Sequence, residues 1–88
     1  MKQIPNERLL YIIGATLRFV RYNSVEAIPT KLFAKQYGCS QGFRKVAELD
    51  KALKELVYWV HNERFRAKSP SKEAMVLFIK RRIYTRKH

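Results

Sequence analysis

Eighty-eight residues, 47% of them apolar with three Gly and three Pro, make one domain with a small core and exclude a disordered or loop-rich chain. Nineteen Lys and Arg against seven Asp and Glu leave a net charge of +12. That exceeds the magnitude of about 2–8 that solubility asks of a small domain, so the self-repulsion points to an anionic partner.

Cys39 is the one cysteine, which excludes an intramolecular disulfide and fits a reducing interior. Its expected role is that of a small buried hydrophobe beside a turn. No apolar run reaches the roughly 18 residues of a membrane span. Arg18 and Arg21 stand where a signal peptide would need small residues for cleavage. The expectation is a mature cytoplasmic protein with no membrane partner, nucleoid-associated if it binds DNA.

Taken in order, Pro5, Asn6 and Glu7 open a first helix over about 6–23, with Asn6 as cap and Glu7 at the positive helix end. Leu9, Leu10, Ile12, Ile13, Thr16, Leu17, Phe19 and Val20 form a wide apolar stripe. Arg8, Tyr11, Ala15, Arg18 and Tyr22 fall on the other side. The width of the stripe marks this as the central packing helix, or else offers a homodimer face. Gly14 leaves room for a close neighbour.

Asn23 and Ser24 stop that helix. Ile28 before Pro29 must be extended, and Pro29 or Thr30 starts a helix of about eight residues with Leu32, Phe33 and Tyr37 inward. Gly38 suits a left-handed cap. Ser40 caps a third helix whose apolar line is Val46, Leu49, Leu53, Leu56, Val57 and Val60, extended by Phe43 and Ala47. Arg44–Glu48, Asp50–Lys54 and Lys51–Glu55 pair at four-residue spacing on its outer face. Residues 62–68 read as a basic connection.

Ser69, Pro70 and Ser71 then give a strong start signal, a hydroxyl cap with Pro at the first helical position and Glu73 in the first turn. A fourth helix follows, with Met75, Phe78, Ile79 and Ile83 inward and a basic tail at about 84–88. The predicted fold is a single all-α domain over residues 1–88, four helices with a helix-turn-helix-like centre. A winged helix is the alternative, with 57–66 and 74–84 as two strands of a C-terminal β-hairpin, since VYWV and VLFI have strand propensity.

The run from Leu32 to Ser40 resembles the helix-turn-helix of small phage and bacterial regulators, with Ala34 four residues before the turn glycine Gly38. That family carries apolar residues six and nine after the glycine, where this chain has Arg44 and Ala47; Phe43 and Val46 are offset by one. The resemblance covers about twenty residues and implies DNA binding, with the second helix of the pair reading the major groove from its first turns.

Catalysis finds no foothold. His61 and His88 have no ligand spacing with Cys39 or a carboxylate, and Glu48, Asp50 and Glu55 do not share a helix face that would hold a metal. No phosphate-cradling glycine loop is present. The chain is therefore read as a non-enzyme with no cofactor and no metal. The expected partner is nucleic acid, DNA before RNA. Gln41, Arg44 and Lys45 are the candidates for base edges, because Gln and Arg read adenine and guanine bidentately. Lys31, Lys35, Arg64, Arg66, Lys80, Arg81 and Arg82 are the candidates for phosphates. The aromatic residues Tyr11, Tyr22, Tyr58 and Trp59 are read as core or boundary rather than as base-stacking platforms. Two rivals share the charge: a basic helical module of viral or plasmid type that docks on an acidic protein surface, and an RNA-associated protein.

Overall fold

The computed structural model describes residues 3–40 and 46–84. Among them the chain is all helical: α1 (Asn6–Phe19), a 3-10 turn (Val25–Ala27), α2 (Thr30–Gln36), α3 (Val46–Phe65) and α4 (Lys72–Ile83). The winged alternative is overturned, because both of its strands are helix. The 3.6-residue apolar period of α3 runs on through Val60, and tertiary burial of that face outweighs the strand propensity of VYWV.

Each boundary has a local cause. Pro5, not Asn6, occupies the cap position of α1, and no side chain caps it. Asn6 is instead the first helical residue, and its Oδ1 accepts from Lys80 Nζ at 2.8 Å, tying α1 to α4. The helix ends at Phe19, earlier than the periodicity predicts, where Asn23 Nδ2 donates to the Phe19 carbonyl at 3.0 Å. Ser24 does not end α1 but opens the 3-10 turn, accepting from Glu26 N at 3.2 Å. Ile28 is extended, as Pro29 requires, and α2 begins at Thr30.

Two helices end in the same motif. After α2, Cys39 N donates to the Ala34 carbonyl at 2.7 Å and Gly38 N to that of Lys35 at 3.4 Å, with Gly38 at φ 71°. This is a Schellman cap with glycine where the left-handed residue belongs. After α3, Lys68 N donates to the Glu63 carbonyl at 2.7 Å and Ala67 N to that of Arg64 at 2.9 Å. Here the left-handed residue is Ala67, at φ 60°. Residues 62–65 are thus the last turn of α3 rather than part of a connection. The Ser-Pro-Ser start signal is displaced by two residues: Ser71 Oγ accepts from Ala74 N at 3.0 Å, and α4 begins at Lys72.

α1 and α3 each pack against all three other helices, and α3 also meets the 3-10 turn, so the centre is shared rather than held by α1 alone. Leu9, Ile12 and Ile13 of α1, Leu49, Leu53 and Leu56 of α3, and Ile79 of α4 lie at the bottom of the core. These α1 residues are covered within the chain and form no dimer face. Thr16 is also fully buried, its hydroxyl donating to the Ile12 carbonyl at 2.8 Å. Ala15, placed by periodicity on the outer side, is buried, whereas Leu32 and Ala47, expected inward, are exposed. A short helix such as α2 buries a narrow strip, and here Ala34 is its centre. Gly14 accommodates no close neighbour; a Cβ there would meet only Arg18 Nη1 of the same helix, at 3.3 Å.

Candidate nucleic-acid interface

The turn after α2 is held from two sides. Arg8 of α1 lies across it, its Nη1 donating to the Gly38 carbonyl at 3.4 Å. Cys39 is fully buried beneath, its Sγ 3.6 Å from the Arg8 carbonyl oxygen. Burial pushes the Cys39 thiol up to about 11, with nearby Arg8 pulling weakly the other way, so Cys39 is a packed hydrophobe and not a nucleophile. At the opposite end of α2, Thr30 donates through Oγ1 to Asp50 of α3. Asp50 also pairs with Lys54 at 2.9 Å, and that contact holds the Lys54 ammonium above its ordinary value. α2 is therefore fixed on α3 by Thr30 and on α1 by the Gly38 turn.

Lys31 and Lys35 are exposed four residues apart on the free face of α2, with exposed Leu32 between them. They line a surface groove of about 700 Å³ whose far wall is Val46, Ala47 and Asp50 of α3. Gln41, Arg44 and Lys45, the base-contact candidates, lie outside the described residues, as do the residues that Ser40 would cap and the Arg44 partner of Glu48. What the structure places is the frame on either side of them, Gly38 to Ser40 and then Val46 onward.

The other phosphate candidates are dispersed. Arg64 is exposed in the last turn of α3, about 21 Å along the helix from Asp50. Arg66 follows it, 3.9 Å from Glu63. Lys80 is bonded to Asn6, and Arg81 is exposed. Arg82 is engaged three ways: Nε donates to Glu55 Oε1 at 2.7 Å, Nη1 donates to the Phe78 carbonyl at 3.3 Å, and the guanidinium carbon sits 3.5 Å from the Phe78 ring centroid. Phe78 in turn stacks on Trp59, centroids 4.8 Å apart. Glu55 thus serves α4 rather than Lys51, because Arg82 offers charge and ring contact together. The seven candidates do not form one patch; Lys31 and Lys35 share a groove, Arg64 and Arg66 another region, and Lys80 to Arg82 the end of α4.

Sequence reasoning missed two features. Phe65, inside the basic stretch read as a connection, is 87% exposed. Arg8 was read only as an outer-face residue, although its hydrogen bond to the turn joins elements 30 residues apart. The alternating Arg-Phe-Arg of residues 64–66 was the available signal for the first. Among the described residues no three His, Cys, Asp or Glu side chains gather as a metal site, and no helix is long and apolar enough to cross a membrane. Compared with protein-family models, with curated proteins and with solved structures, the chain has no match.

Proposed function

We propose that this protein binds double-stranded DNA through α2, the Gly38 turn and the start of the third helix, as a small transcriptional regulator or architectural factor. The observation that carries this reading is the way α2 is mounted. Ala34 and the Gly38 cap lock one face, and Thr30 pins its start to α3. Lys31 and Lys35 are left in solvent across a groove from Val46 and Ala47, the first residues of α3. Lysines so placed bond phosphates and fix register, and the polar first turns of the following helix read base edges.

The experiment is binding to duplex DNA, structured RNA and heparin across a salt series. The reading expects duplex binding that persists at about 0.15 M salt. Replacing both Lys31 and Lys35 by glutamine should flatten log K against log salt by about 1.8, at roughly 0.9 per lost phosphate contact. Arg44→Glu should abolish preference for the best site. Binding that vanishes at that salt and is indifferent to the polymer would refute the proposal.

One observation favours docking on an acidic protein instead. Leu10 of α1 with Val76 and the exposed Leu77 of α4 line an apolar groove rimmed by Lys72, Lys80, Glu73 and Asn6. An amphipathic acidic segment fits such a groove. Leu77→Asp would weaken that partner and leave duplex binding unchanged.

A further inference from the structure

The C-terminal half of α3 presents ring side chains to water in one line. Tyr58, His61 and Phe65 recur at three and four residues, so they fall along a single exposed stripe about 10 Å long. Tyr58 is 53% exposed and Phe65 87%. Two of the three, Tyr58 and His61, line a groove of about 380 Å³ between the ends of α1 and α3, and the cations of that groove are Arg21 from beyond α1 and Arg64 from α3. Neither arginine forms a salt bridge among the described residues, and no carboxylate lines the groove. Tyr22, 86% exposed, follows Arg21 in the chain.

Packing does not explain this set. The aromatic residues that serve the fold are paired: Trp59 stacks on Phe78, and Phe33 meets Phe19 and Tyr37 edge-on. The helix dipole favours a cation near each helix C-terminus, which accounts for Arg64, but it gives no reason to leave Tyr58 and Phe65 uncovered. Rings open to solvent beside unpaired arginines are the combination that takes a base on its face and a phosphate on its charge. A duplex hides its base faces in the stack, so the fitting occupant is unpaired.

We propose that the α1–α3 groove is a single-strand nucleic-acid site, with Tyr58, His61 and Phe65 stacking bases and Arg21 and Arg64 holding the backbone. It lies about 20 Å along α3 from the Lys31–Lys35 groove and stands independently of the duplex reading.

The test is fluorescence anisotropy of the full chain with oligo-dT and oligo-rU, with mixed-sequence duplex and polyglutamate as competitors. Phe65→Ala and Tyr58→Ala should each weaken the single strand roughly tenfold, with melting temperature by circular dichroism confirming that these exposed positions leave the fold intact. Replacing Arg21 and Arg64 together by glutamine should flatten the salt slope by about 1.4, at roughly 0.7 per contact for a single strand. Binding to the single strands well above that to the duplex is the expected result. Oligo-dT binding that survives when the duplex does not bind would support this site while refuting the duplex reading. The proposal is overturned if Phe65→Ala binds both oligomers as wild type does, if polyglutamate competes as well as they do, or if sedimentation shows a dimer that Phe65→Ala dissociates.

Discussion

Replacing Ala67 by glycine should stabilise the fold, although it removes a side chain and adds freedom to the unfolded chain. Ala67 sits at φ 60° as the left-handed residue of the cap that ends α3. The two hydrogen bonds of that cap, at 2.7 and 2.9 Å, require the conformation whatever residue stands there. For an L-residue with a Cβ the left-handed region costs roughly 1–2 kcal/mol. Glycine avoids that cost, but gives back about 0.4–1 kcal/mol through the larger entropy of the unfolded chain. The expected net gain is about 0.5–1 kcal/mol, or roughly 2–8 °C in Tm for a domain of this size. Gly38→Ala is the mirror experiment. The same penalty is imposed at φ 71°, and the new Cβ would meet Arg8 Cδ at 3.3 Å, so it should lose about 1 kcal/mol or more. Thermal and urea melts of the two variants measure the pair. An Ala67→Gly chain that melts at or below wild type would refute the reasoning.

Three further outcomes follow from the packing. Arg82→Gln should destabilise by about 1 kcal/mol, the sum of a half-exposed ion pair discounted for solvent screening and a cation–π contact; an unchanged urea midpoint would mean that Glu55 and Phe78 gain nothing from it. Cys39 should resist alkylation near pH 8 until the chain is unfolded, since burial pushes its thiol up to about 11. Because that folded value lies above the unfolded 9.0, its contribution to stability is intact below pH 9 and lost as the pH rises through about 11; brisk labelling of the native chain would contradict this. Tyr84→Phe should cost about 1 kcal/mol, because Tyr84 Oη accepts from Ile4 N at 2.6 Å and pins the segment before α1 to the end of α4. Hydrogen exchange at Ile4 reads that bond directly, and protection unchanged in the variant would show that it is not made.

The helices were legible because their periods are strong. The line from Leu49 to Val60 and the pair Met75 and Ile79 specify buried faces with no help from the rest of the chain. Gly38 was legible for the same kind of reason, since a left-handed cap there needs glycine. Ala67 was not, because nothing local distinguishes a strained alanine from an ordinary one; the cap is imposed by the chain turning from α3 into α4. The partner of Glu55 was equally hidden. Helical spacing offers Lys51, and only the packing of α4 brings Arg82 within 2.7 Å. Exposure of Phe65 escaped the sequence because an aromatic residue among arginines reads either way until the core is seen to be complete without it.

The two proposed surfaces lie at opposite ends of one helix, and the distribution of pairs bears on both. On α3, Asp50 on the wall of the Lys31–Lys35 groove is occupied by Thr30 and Lys54, and Glu55 by Arg82. Acidic groups that would repel a polyanion are thereby neutralised by contacts that also hold α2 and α4 in place. Lys31 and Lys35 stand beside the start of α3, and Arg21 and Arg64 beside its finish. At about 20 Å apart, these groups exceed the roughly 8 Å screening length of physiological salt, so on the two proposals each end would bind through its own contacts. A nucleic acid that offered a duplex to one end and an unpaired strand to the other would engage both, and its affinity would then exceed that of either part through effective concentration.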